Sequence, residues 1–128
     1  MDGGFDLRAA ARAVIEFRDA RDWDQFHQPK DLMQGLAIEA AELLETTLWK
    51  NPTRGEVVSD PAIMTRIRAE IADVVIYCLT IANDLEIDLA DAIEAKLVAN
   101  GQRYTVEEYR GSDRKAPHDT PTGPNHND

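Results

Sequence analysis

The stretch GLAIEAAELLE, residues 35–45, is apolar at most positions yet carries Glu39 and Glu42 three apart. A second stretch, IRAEIADVVIY at 67–77, repeats the arrangement with Glu70 and Asp73. Both read apolar, acid, acid, then two apolar: Leu36, Glu39, Glu42, Leu43, Leu44 and Ile67, Glu70, Asp73, Val74, Val75. At about 100° per residue, positions three apart lie about 60° apart on a helix. Each acid pair therefore borders a packed apolar surface.

The flanking sequence extends both stretches into long helices. Asp31 has the character of an N-cap for a helix running to about Trp49. Asp60-Pro61 starts another, reaching about Leu85, with proline at its first position. A first helix spans about 7–21, with Leu7, Ala10, Ala11, Val14, Ile15 and Phe17 as its stripe. A fourth follows Asp88 and ends near Tyr109. The connector 22–30 and the loop 51–60 separate them, with EVVSD in the latter a weak strand candidate. Nothing else alternates with period two. The expected fold is all-α, a four-helix-bundle-like domain over residues 1–110 with antiparallel neighbours. Residues 111–128 are polar and proline-rich and read as a disordered tail. The middle helices are apolar around much of their circumference, which points to an oligomer.

Length and charge narrow the function. At 128 residues the chain suits one core, and 43% apolar residues can fill it. A net charge of -10 argues against nucleic acid or an anionic membrane as partner. The longest apolar run, VVIYCLTIA, is too short to span a bilayer. The N-terminus lacks the basic-then-apolar pattern of a signal peptide. The lone Cys78 suggests a reducing, cytoplasmic setting.

If the two middle helices pack antiparallel, four carboxylates converge, and protons or cations must compensate them. All-oxygen donors suit Mg²⁺ or Mn²⁺. The histidines, His27, His118 and His126, are not spaced for a di-iron or zinc site. With 24 acidic residues in the chain, one such pair is ordinarily a solvated face. Two in matching frames point to metal, although the pattern alone leaves open a helical interaction module with acids facing solvent or a basic partner.

The series Glu39-x-x-Glu42 … Glu70-x-x-Asp73 resembles the signature of the MazG-like all-α nucleoside triphosphate pyrophosphohydrolases. RDWDQFHQP at 21–29, EAAELLETTLWK at 39–50 and AEIADVVIY at 69–77 are similar to the dCTP pyrophosphatase branch. The resemblance covers about residues 10 to 105. It implies cleavage between the α- and β-phosphates of a nucleotide, with Glu39, Glu42, Glu70 and Asp73 binding Mg²⁺ and carrying catalysis. It further implies Trp23 and Trp49 as walls of a base pocket, Tyr77 as a sugar or phosphate contact, and Lys96 and Asn100 as phosphate and sugar donors. dCTP or a modified dCTP is the implied substrate, with dUTP or phosphoribosyl-ATP, the substrates of other branches, as the alternative. The branch implies a homotetramer built as a dimer of dimers, a dimer being the alternative, with pockets shared between chains. His27 reads as a structural hydrogen-bonder, and Arg103 as an ordinary surface charge. One departure concerns the first helix: animal members carry a histidine where this chain has Val14, which leaves base selectivity open.

Overall fold

The structure, a computed structural model, describes residues 4–117. It is all-α, with no strand among the described residues. In chain order it comprises α1 (Leu7–Ala20), a short 3-10 turn (Asp24–Phe26), α2 (Pro29–Glu45), α3 (Arg54–Val58), α4 (Pro61–Asp84), α5 (Leu89–Arg103) and α6 (Val106–Tyr109).

Caps set most boundaries. Asp6 accepts the Ala9 N–H at 2.8 Å and starts α1. Asp60 accepts from Ala62 and Ile63, with Pro61 preorganised at the first helical position of α4. α2 starts earlier than expected. Gln28 is its N-cap and Pro29 its first residue, while Asp31 sits in the third position and accepts the Gln28 N–H at 3.1 Å. Asp31 thus closes a capping box rather than acting as the cap itself.

The loop 51–60 holds a helix where a weak strand was expected. Thr53 Oγ1 accepts the Glu56 N–H at 3.2 Å, and Glu56 Oε1 accepts the Thr53 N–H at 3.4 Å. That reciprocal pair nucleates α3. α2 also stops sooner, at Glu45. Thr46 Oγ1 donates to the Leu43 carbonyl at 2.8 Å, and a run of turns ends at Trp49 with φ of 63°. The last expected helix is broken at Tyr104–Thr105 into α5 and α6.

The chain forms two compact units, dividing after Ala90. In the first, α2 packs most extensively on α4, and α1 and α3 also pack on α4. Leu32, Leu79 and Ala82 are its buried apolar centre. Gly35 meets the Tyr77 ring, and Glu39 meets Asp73 and Glu70. Each step forward on α2 is matched by a step back on α4, so the two run antiparallel as expected. A side chain at Gly35 would have to displace the Tyr77 ring, because a Cβ there would run into Tyr77 Cε1 and Cζ. Ile38 and Leu44 on α2 and Ile71 and Val75 on α4 stay exposed.

The second unit holds most of α5, α6 and the segment after it. Arg103 Nη2 donates to the carbonyls of Ala116 at 2.9 Å and Pro117 at 2.8 Å, and Tyr104 Oη accepts the Ala116 N–H at 3.2 Å. The part of the expected tail up to Pro117 is thus laid along this unit, with Ala116 buried. The rest, 118–128, lies outside the described residues. No helix of the described residues is long and apolar enough to cross a membrane.

Candidate active site

Carboxylate oxygens of Glu39, Glu70 and Asp73 come within 4.8 Å of one another. The antiparallel register of α2 and α4 brings them together from residues about thirty apart in sequence. Oε2 of Glu39 and Oε2 of Glu70 are buried and have no hydrogen-bond partner. A buried carboxylate oxygen without a donor is costly, so these two atoms have capacity for a ligand that the protein itself does not fill. The donors are all oxygen, the set that hard divalent cations take. The residues present therefore fit a Mg²⁺-type ion.

Glu42, one turn on, adjoins both Glu39 and Glu70 but lies outside the set of three. Burial from water pushes the Glu39 carboxyl up from 4.5 to about 7, helped next by the Glu42 carboxyl and then by the charges of Asp73 and Glu70. Glu70 is raised too, first by burial and then by Glu42 and Asp73, with the Glu39 contact acting in the opposite sense.

The sign of the consequence follows from linkage. An acid whose pKa is higher in the fold than in the unfolded chain holds its proton more tightly when folded. Its contribution to stability is complete below about pH 4.5 and is lost as pH rises through about 7. Protein kept in EDTA is therefore expected to melt at a lower temperature at pH 8 than at pH 5.5. Glu39→Gln should flatten that slope; a slope that the substitution leaves unchanged would show that Glu39 does not set it.

A cavity of about 410 Å³ opens beside the carboxylates. Glu39 and Asp73 form one part of its wall, and Trp23, His27 and Tyr77 another. Val14, Phe17, Arg18, Leu32, Ile76 and Thr80 complete it. Trp23 is 44% exposed and stands edge-on to Phe17, ring centroids 5.7 Å apart. The RDW segment explains this placement. Arg21 lays its guanidinium 3.6 Å from the Phe17 ring centroid and donates to the Phe17 carbonyl at 3.0 Å. Asp22 takes φ of 53°, and Trp23 N–H returns to the Arg18 carbonyl at 3.2 Å.

Of the expected residues, Glu39, Asp73, Trp23 and Tyr77 share this cavity, with Glu70 beside them through the cluster. Trp49 is not brought to it within this chain: the left-handed turn after α2 leaves its side chain 94% exposed. Lys96 and Asn100 lie one turn apart on the second unit's part of α5, exposed and half-buried. His27 departs from its reading as a structural hydrogen-bonder, because its Nδ1 is buried without a partner. Beyond these, the sequence offered one further hint of the cavity wall, the departure at Val14; Arg18 and Thr80 carried none.

Comparison with known proteins adds a family. The sequence pattern of the MazG-like family matches residues 35–117. The chain is 39% identical over 107 residues to dCTP pyrophosphatase 1 of Mus musculus, covering 83% of this chain and 63% of that protein. The Homo sapiens protein of the same name is 36% identical over 110 residues, 85% of this chain and 65% of that one. This chain thus spans just under two thirds of the length of these mammalian relatives. A crystal structure of a pyrophosphatase from Archaeoglobus fulgidus superimposes with a TM-score of 0.69 at 33% identity, covering 77% of this chain and 92% of that one.

Proposed function

Since this chain belongs to the MazG-like family, we propose that it is a divalent-cation-dependent nucleoside triphosphate pyrophosphohydrolase. It would split water across the α–β phosphate bond, giving a nucleoside monophosphate and pyrophosphate. dCTP or a modified dCTP is the favoured substrate, and removing such nucleotides from the cytoplasmic pool is the role that follows. The observation that carries this reading is the meeting of Glu39, Glu70 and Asp73, two of them with unpartnered buried oxygens, beside a cavity walled by Trp23 and Tyr77. Relatives named for dCTP support the choice of base.

Glu39, Glu70 and Asp73 would hold Mg²⁺, or Mn²⁺ in its place. Such an ion supplies the positive charge that an acidic pocket and a triphosphate lack between them, and makes water a better nucleophile near neutral pH. Glu42 adjoins the cluster without belonging to the three, which suits it to take the proton from the attacking water. Trp23 offers a flat face to the base, and the free His27 Nδ1 a polar contact to it. The Tyr77 hydroxyl serves the sugar or a phosphate, and Lys96 and Asn100 supply donors to phosphate and sugar. Trp49 can wall a base only in the pocket of a second copy. The exposed Ile38, Leu44, Ile71 and Val75 support a homo-oligomer, a tetramer as a dimer of dimers or a dimer.

The test is pyrophosphate release from a panel of ribo- and deoxynucleoside triphosphates, with Mg²⁺ and with EDTA. Release should need the metal and be fastest with dCTP or a 5-substituted relative. A peak on another base would keep the reaction and reject the substrate; no release from any nucleotide by folded protein would reject both.

A further inference from the structure

Arg18 is the one charged side chain that is buried among the described residues, at 7% exposure. Its Nη1 donates to Asp84 Oδ1 at 2.7 Å and lies 3.4 Å from Asp24 Oδ1. Its Nε donates to Asp19 Oδ1 at 3.4 Å. A single guanidinium thus joins three segments: α1, which carries it; the 3-10 turn, which begins just after Trp23; and the last turn of α4. The Arg18 carbonyl also receives the Trp23 N–H. Phe17, Arg18 and Trp23 all line the cavity beside the carboxylates.

This arrangement is expensive to build for stability alone. A buried charge must be desolvated, and replacing such a group with apolar residues is often neutral or stabilising. What the guanidinium does offer is fixed geometry, because its planar fork serves several acceptors in set directions. Trp23, by contrast, has little else to fix it: it is half exposed, and its ring meets Phe17 and the Arg21 guanidinium.

We propose that Arg18, held by Asp84 and Asp24, is a positioning residue that fixes the Trp23 indole as the stacking wall for a nucleobase. It acts through Trp23 and takes no part at the phosphates. The inference rests on the nucleotide reading above. It implies that base affinity in this chain depends on an ion pair as well as on the aromatic face that the pair holds in place.

The experiment compares wild type with Arg18→Lys and Asp84→Asn, using dCTP and Mg²⁺. KM is expected to rise about tenfold in each, with kcat within about twofold. The melting shift on adding Mg²⁺ alone should match wild type, since the carboxylate cluster is untouched. Acrylamide should quench more tryptophan emission in the variants, with the contribution of Trp49 the same in all three. A lowered melting temperature with KM unmoved would make Arg18 merely structural and overturn the inference. If Arg18→Lys fails to fold, Asp24→Asn cuts only the link to the turn, at an exposed carboxylate; it must raise KM, and an unchanged KM there overturns the inference equally. Absence of turnover by wild type would overturn the functional reading and this inference with it, whereas wild-type turnover with KM unmoved in the variants removes the inference alone.

Discussion

Replacing Glu39 by Gln, or Asp73 by Asn, is expected to lower pyrophosphate release about a thousandfold while the protein stays folded. Both residues lie in the set whose oxygens meet within 4.8 Å. An amide keeps the size of the side chain but removes the charge and one strong acceptor. The remaining carboxylates would hold a divalent ion poorly. The fold should not suffer, because the charge removed is one that its neighbours oppose. Glu39 is raised to about 7 by burial and by those neighbours, so metal-free Glu39→Gln is expected to melt above metal-free wild type at pH 8. Glu45→Gln is the control: it continues the acidic series on α2 but is exposed and outside the cluster. Kinetics and melting, each with Mg²⁺ and EDTA, check the expectation. Near-normal turnover in either cluster variant would remove that residue from the mechanism.

Trp23→Ala is expected to raise KM for the favoured nucleotide by about 10- to 100-fold, with kcat little changed. Stacking of one base on an aromatic side chain is worth roughly 1–3 kcal/mol. A contact made equally in the ground state and the transition state appears in KM and not in kcat. Trp23→Phe should recover much of the loss, because a flat face remains. A fall in kcat at constant KM would instead place Trp23 near the reacting phosphates, contrary to its position on the wall. Trp49→Ala separates two cases. If a neighbouring copy uses Trp49, KM should rise here as well, and more so under conditions that keep the chains associated.

Helices and the acid cluster were legible because each leaves a short-range mark. A 3.6-residue apolar period marks a helix, Asp60-Pro61 marks a start, and acid pairs three apart mark one face. The antiparallel register of α2 and α4 brings Glu39, Glu70 and Asp73 together, three of the four carboxylates expected to converge, with Glu42 adjoining them. α3 was also marked, by Thr53-x-x-Glu56, but a capping box competes for notice with the β-branched Val57 and Val58 that follow. Arg18 left no such mark. It sits in the apolar stripe of α1, and Asp84, its nearest partner, is 66 residues away. Local periodicity carries no information on a pairing at that separation. The direction of Trp49 was illegible for a different reason: it depends on Trp49 itself taking a positive φ, which residue type alone does not announce at a tryptophan. The break between α5 and α6 falls at Thr105, which takes an extended backbone conformation as the N-cap of α6 while its Oγ1 makes no hydrogen bond, so no local side-chain signal marks it.

The pairing of α2 with α4 has one more consequence. Two antiparallel helices that each carry acid-x-x-acid have a sequence pattern that a half turn would superimpose, Glu39 on Glu70 and Glu42 on Asp73. Four donors set out in that way would hold a chain of phosphates in either sense. The cluster is not so even: Glu42 stands outside the three whose oxygens meet, and the cavity that Trp23 and Tyr77 line also takes in Glu39 and Asp73 but not Glu42. On the nucleotide reading proposed above, that unevenness is what would decide which phosphorus faces the water.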